Sequence, residues 1–420
     1  MPPPVLPDPI LGLMLDARAD PRPQKVDLTA GVYKDEKMSP FVLTSVKAVI
    51  EEAIHHKNVD IFRPLPPYGD LEMADQLLNL CFGIENVRFH SEKFNGRFAR
   101  THCQSGGNGL FFIFELLKKF YPSIVDQQVL PEKQRLATQT SVWCATDTWP
   151  IHFQMLERHS LHIKTHRYYN PQKNCFDFEG MIEDLEHMNE GDVLLMQPAG
   201  HNPTGYDPSK KQWQQLAQLL KKKKVLTIFD FAYMGYSSGD IDEDSYPVRF
   251  FLNEGLEFFL TISCSKNFGL YSARVGCLAL YMQSLPLVRE MTKYLNETAK
   301  IFYGAPDAWG AHIVKEILGS APKRTLWLKD LEVMTSRIKQ CRVALKSELD
   351  KTDSTYNWDF IVQQFGMFAY TGLTETQVKR LKNEFAIYLI NTGRASITGL
   401  TVENAAYVAK ALNEVTKKQS

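Results

Sequence analysis

The chain has 420 residues, with 48 Lys+Arg against 48 Asp+Glu, 44% hydrophobic and 23% charged residues. That length suits two domains, or one large domain with a second appended. Zero net charge gives no electrostatic reason for a nucleic-acid partner, and no apolar run approaches a membrane span, so neither partner is expected.

The Pro-rich start, MPPPVLPDP, lacks the basic and apolar blocks of a signal peptide and the Arg-rich pattern of a transit peptide, so a cytoplasmic protein is expected. A Gly-rich turn, Ser105-Gly106-Gly107-Asn108-Gly109, precedes a helix marked by Leu110, Ile113, Phe114 and Leu117. Strands rich in Val, Ile, Leu, Phe or Thr are expected at Ser141–Ala145, Asp192–Gln197, Val225–Asp230, Phe258–Ser263 and Val275–Tyr281. Between them a helix starts near Asp207-Pro208, buries Trp213, Leu216, Ala217 and Leu220, and ends in the solvated run Lys221–Lys224. This alternation is the mark of an α/β fold. After about residue 325 the pattern changes to a long helix, Thr325–Asp350, and then β-like segments at Trp358–Val362, Gly366–Thr371, Ala386–Ile390 and Ala395–Gly399. Thr401 caps a final helix to about Lys417. The expected division is a large domain at 46–325 and a smaller α+β unit made from 1–45 and 326–420. Seven cysteines without a CxxC pair suit reduced thiols better than a zinc site.

Unusual polar residues collect just beyond these strands. Trp149 and His152 follow the first, His201-Asn202-Pro203-Thr204-Gly205 the second, and Tyr233 follows Asp230 at the third. Ser263 and Lys266 close the fourth, and Arg274 lies eight residues on. Ligands of open α/β sheets bind beyond the carboxyl ends of parallel strands, so these residues share one rim if the sheet is parallel there. Read singly, each has an ordinary alternative: a turn aspartate, a snorkelling lysine, a surface arginine. Together they supply a phosphate turn, a shielded carboxylate, a tyrosine, an amine and a guanidinium, which match the needs of pyridoxal phosphate. The pyridine nitrogen needs an acid to keep it protonated, and the aldehyde needs an amine.

On these residues the chain resembles class I aminotransferases of the aspartate aminotransferase subfamily. The shared blocks include Asp8-Pro9-Ile10-Leu11-Gly12-Leu13, Gly31-Val32-Tyr33-Lys34-Asp35-Glu36, Asn202-Pro203-Thr204-Gly205 and Asp230-Phe231-Ala232-Tyr233. Others are Ser263-Cys264-Ser265-Lys266-Asn267-Phe268-Gly269-Leu270-Tyr271, Arg274-Val275-Gly276 and Gly393-Arg394. The resemblance implies the fold of the fold-type-I pyridoxal-phosphate-dependent transferases, with a mostly parallel seven-stranded sheet in the large domain. It implies that Lys266 holds the cofactor covalently and moves the proton. Asp230 would meet the ring nitrogen with His152 behind it, and Tyr233 and Asn202 would bond the phenolate oxygen. Ser105, Gly106, Gly107, Ser263 and Arg274 would hold the phosphate, and Trp149 would stack on the ring. Arg394, Gly31, Asn202 and Trp149 would receive the substrate. Expected substrates are amino acids and 2-oxo acids, aspartate and 2-oxoglutarate first, handled by a homodimer with shared sites and ping-pong kinetics.

Two positions depart from the family. Lys300 stands where a partner-subunit arginine reads the substrate's second carboxylate, and a lysine lacks the planar two-point match. A broad-specificity or aromatic aminotransferase is therefore the alternative. In Arg63-Pro64-Leu65-Pro66-Pro67-Tyr68-Gly69, Pro64 replaces the tyrosine that reaches the partner's phosphate, and Tyr68 is the nearby candidate substitute.

Overall fold

The computed structural model describes residues 9–55, 64–83, 96–129, 131, 136 and 139–417. Asp8 and Arg63, quoted above in two motifs, lie outside them.

A seven-stranded sheet organises the fold. Its strands, in chain order, are β1 (Phe98–Cys103), β2 (Val142–Ala145), β3 (Ile163–His166), β4 (Val193–Met196), β5 (Leu226–Phe231), β6 (Phe258–Ser263) and β7 (Gly276–Tyr281). Across the sheet the order is β1-β7-β6-β5-β4-β2-β3. Only β7 runs against its neighbours, and Gly276 pairs with Cys103 on one side and Ser263 on the other. The sheet is therefore mostly parallel, as expected. The reversed strand brings its beginning, not its end, to the rim where β1 and β6 finish, and Arg274 is delivered there just before it.

Burial on both faces explains the apolar runs. Alternate residues split between two cores: Val193, Leu195, Ile228 and Leu278 pack on one face, and Leu194, Met196, Phe229 and Ala279 on the other. Helix α1 (Gly106–Phe120) and helix α2 (Leu285–Tyr303) cover the first face through Leu110, Ile113, Met291 and Leu295.

Local chemistry moved several boundaries. The helix expected from Asp207 begins at Lys210, because Ser209 and Gln212 form a reciprocal capping box there. Asp207 instead turns inward and accepts from the Gly200 and His201 N–H groups and the Ser237 hydroxyl. The long helix runs from Ala321 to Asp350, four residues longer than expected, since Pro322 fits its first turn. Trp358–Val362 is not a strand. Phe360–Gln363 is a short helix, and the carbonyl of Ile361 is taken by the Arg342 guanidinium rather than by a neighbouring strand. The last helix, Ala405–Thr416, is flanked by Asn404 rather than Thr401; Thr401 caps the turn just before it, exchanging hydrogen bonds with Asn404 in the reciprocal pattern of a capping box.

Two short strand pairs bring distant parts of the chain together. Val26–Asp27 runs parallel to Ile387–Tyr388, and Phe368–Tyr370 runs antiparallel to Arg394–Ser396. All seven cysteines are free thiols, six of them buried. Among the described residues, no helix is long and apolar enough to cross a membrane, and no His/Cys/Asp/Glu group is arranged to hold a metal ion.

Candidate active site

The rim of the sheet opens into a cavity of about 290 Å³. The site residues named from the sequence line it except His152, Lys300 and the candidate Tyr68: Gly31, Ser105, Gly106, Gly107, Trp149, Asn202, Asp230, Tyr233, Ser263, Lys266, Arg274 and Arg394.

Asp230 is the penultimate residue of β5 and is buried. An isolated carboxylate would be costly there, and the structure supplies donors. The His152 ring lies behind it with Nε2 at 3.0 Å from Oδ2, and the Thr261 hydroxyl donates to Oδ1 at 3.3 Å. A Cβ on Gly106 would sit 3.2 Å from the Ser263 Cβ, a tight contact, and 3.5 Å from that Oδ1, an ordinary one, so the bare backbone here gives Ser263 its room.

Lys266 follows β6, and its remaining accessible surface faces the cavity. Among the described residues no hydrogen bond or ion pair holds its ammonium group, which lies 5.4 Å from the centre of the Tyr233 ring. Burial lowers its pKa, and the positive charges of Arg274 and Arg394 add to that; Asp230 opposes it. An amine kept partly neutral is a better nucleophile and base. Burial also pushes the Tyr233 phenol well above its usual value, so it stays a hydrogen-bond donor.

The turn before α1 is capped by Ser105, whose hydroxyl accepts from the Asn108 N–H. Its free N–H groups and the positive end of the helix dipole suit a phosphate. Across the gap stand Ser263, Ser265 and Arg274. Close approach of the reversed strand makes this possible: a Cβ on Gly276 would lie 2.6 Å from the Ile262 carbonyl oxygen and 3.2 Å from the Ser105 backbone.

At the other end Arg394 is 5% exposed, and no carboxylate lies within 4.0 Å of it among the described residues. It donates to Asn202 Oδ1 at 3.1 Å and to the Thr29 carbonyl at 2.9 Å, and its Nε has no partner. The Phe368 ring lies beneath the guanidinium at 4.3 Å. Burial lowers its pKa to about 10, with Tyr233 opposing the shift. A desolvated cation with donors to spare is a site for an anion.

Lys300 does not line this cavity. It is exposed in the last turn of α2, beside Ile301, which is 86% exposed. Tyr68 is also exposed and outside the cavity of its own chain. Five further lining residues escaped sequence reasoning: Ile10, Gln197, Ala232, Ser265 and Phe368. Gln197 and Ser265 carried a signal, being polar residues at strand ends of the kind that marked Asp230. Phe368 carried none, because only tertiary packing brings it under Arg394.

An unpartnered amine, a shielded carboxylate, an anion cradle and an unpaired arginine at the rim of a mostly parallel sheet define a pyridoxal-phosphate-dependent enzyme, and the residues present fit that cofactor. Comparison with known proteins makes the class specific. Residues 23–412 match the family described as aminotransferase class I and II. The mitochondrial aspartate aminotransferase of Arabidopsis thaliana is 34% identical over 410 residues, 98% of this chain and 90% of that one. The cytoplasmic aspartate aminotransferase of Saccharomyces cerevisiae superposes with a TM-score of 0.91 at 31% identity, covering 99% of this chain and 98% of that one. An aromatic-amino-acid aminotransferase from Burkholderia pseudomallei, covalently bound to pyridoxal phosphate, superposes at 0.89 with 29% identity, covering 99% of each chain. The chain belongs to the class I and II aminotransferases: it is a pyridoxal-phosphate-dependent transaminase acting on amino acids and 2-oxo acids.

Proposed function

We propose that this transaminase moves the amino group of L-aspartate to 2-oxoglutarate, giving oxaloacetate and L-glutamate. The observation that carries this reading is the pair of cations in one cavity: Lys266 with no partner, and Arg394 with donors unused. When bound, the cofactor supplies an electron sink for the charge left at the substrate α-carbon. The residues do the rest. Arg394 takes the α-carboxylate in a two-point grip, with Asn202 and the Gly31 backbone beside it. Lys266 would hold the cofactor through its amine and, once that amine is free, would remove the substrate α-proton as a base. Asp230, backed by His152, would keep the ring nitrogen protonated. Tyr233 and Asn202 would bond the phenolate oxygen, and Trp149 would cover the ring. Ser105, Gly106, Gly107, Ser263 and Arg274 would anchor the phosphate.

This reading needs a second copy. Lys300 stands outside its own cavity, next to the exposed Ile301 and Phe302. In a homodimer it would serve the partner's site by meeting the distal carboxylate of a dicarboxylic substrate, and Tyr68 would approach the partner's phosphate. The division into a unit of 46–325 and one of 1–45 with 326–420 accompanies the reading, supported by the pairing of Val26–Asp27 with Ile387–Tyr388.

A lysine at 300 favours a second reading, broad or aromatic specificity, and the apolar lining from Ile10, Trp149 and Phe368 agrees with it. Steady-state kinetics with aspartate, tyrosine and phenylalanine, each with 2-oxoglutarate, tests both. The expected result is an aspartate preference below about 1,000-fold, roughly 4 kcal/mol. A larger preference removes the second reading. A preference for the aromatic substrates removes the first. A fully active monomer in sedimentation removes the shared site.

A further inference from the structure

We propose that Gln197 is a positioning residue that selects the tautomer of His152, and so decides which proton faces Asp230. The inference rests on the role given to Asp230 above, but its argument is one of hydrogen-bond polarity alone.

The starting point is a group whose role is fixed by covalent structure. The backbone N–H of Asn202 points at one side-chain atom of Gln197 at 3.0 Å, so that atom is the oxygen. The other Gln197 atom lies 3.1 Å from the Asn202 carbonyl oxygen, so that atom is the nitrogen. Two independent constraints orient the amide the same way, which removes the usual ambiguity of such groups. The second N–H of Gln197 then faces the Thr148 hydroxyl oxygen at 3.3 Å and donates to it.

Thr148 has one proton, and its oxygen already accepts. Among the described residues the acceptor left for that proton is His152 Nδ1 at 3.0 Å, since a proton on Nδ1 would make the Thr148 oxygen accept twice and leave its own buried O–H without an acceptor. Nδ1 therefore carries a lone pair. The ring proton sits on Nε2 and is donated to Asp230 Oδ2 at 3.0 Å. Reversing the Gln197 amide would send the threonine proton the other way, put a proton on Nδ1, and turn a lone pair or a full imidazolium toward Asp230. Gln197, Thr148 and His152 are 2%, 8% and 0% exposed, so bulk water does not intervene. The Trp149 ring meets the imidazole edge-on at 5.3 Å. His201 is a further titratable group near His152, and burial pushes its pKa well below the usual value.

The same amide reaches the far end of the cavity. Asn202, clamped through its backbone by Gln197, accepts from Arg394 with its side chain. One residue thus ties the carboxylate end of the cavity to its arginine end.

The test is nitrogen NMR of protein labelled with 15N-histidine, without cofactor, the His152 signals being those lost in His152→Asn. The wild type is expected to show a protonated Nε2 and a bare Nδ1. In Gln197→Glu the Thr148 proton is drawn to the new carboxylate, and Nδ1 is expected to become protonated. A wild type protonated at Nδ1, or a Gln197→Glu protein with the wild-type pattern, overturns the inference. Should Gln197→Glu not fold, Gln197→Met is expected to lose the single tautomer, and an unchanged pattern there overturns it equally. Turnover of the loaded Gln197→Glu enzyme separates the two claims. A moved proton with unchanged turnover upholds the assignment to Gln197 and overturns the role given to Asp230.

Discussion

Two buried arginines of the C-terminal part of the chain, one lining the cavity and one outside its lining, look alike by burial and differ in what their donors meet. Arg342 is 3% exposed and donates to the carbonyls of Ile361, Phe365, Gly366 and Phe368. Arg394 is 5% exposed, makes only two such bonds and lines the cavity, while Nε lacks a partner among the described residues in both arginines. Burial lowers both pKa values, Arg342 to about 9 and Arg394 to about 10. Neither burial nor a shifted pKa distinguishes a structural cation from a binding one. Unused hydrogen-bond capacity facing a cavity does.

Lys266 belongs with Arg394 on that criterion, and its removal is the hardest test. Lys266→Ala should lower turnover by at least ~100-fold, since positioned proton transfer alone is worth about 10²–10⁴. A variant that keeps most of its activity would end the assignment.

The arginines break or sharpen the comparison directly. Arg394→Met should lower kcat/KM for amino acid substrates about 100-fold, roughly 3 kcal/mol for two charge-assisted bonds, with little change in thermal stability. Arg342→Met should do the reverse. It strands four carbonyls and should cost about 3 kcal/mol of folding stability while leaving KM near the wild-type value. Urea unfolding and steady-state kinetics on both variants decide, and the same phenotype in both would dissolve the distinction.

A smaller effect concerns a buried group away from the cavity. His166 is 1% exposed, donates from Nδ1 to the Arg167 carbonyl, and has no partner at Nε2 among the described residues. Burial lowers its pKa to about 4. Its folded-state value lies below its unfolded one, so its contribution is present above about 6.5 and is lost as pH falls toward 4. Between pH 7 and pH 5 the wild type should lose about 2 kcal/mol more stability than His166→Gln. Equal losses would show that the ring gains a proton without unfolding.

Strand placement and most of the cavity lining were legible because both depend on short-range pattern. An apolar run that ends in a polar residue says where a buried strand meets a rim, and Asp230, Ser263 and Lys266 stand in that position. Helix starts were less legible. Asp207 has the chemistry of a cap, but its side chain found partners elsewhere, and a local pattern cannot register that competition. Lys300 was legible as a departure, yet the fold of one chain leaves it outside the cavity.

The amino-acid order by itself determined the α/β class, the rim residues and the cofactor chemistry, because each is written in contiguous motifs of a few residues. Tertiary structure decided the reversal of β7, the platform that Phe368 makes under Arg394 and the amide chain from Asn202 to Asp230. Those features join residues dozens to hundreds of positions apart, and only packing determines which donor meets which acceptor.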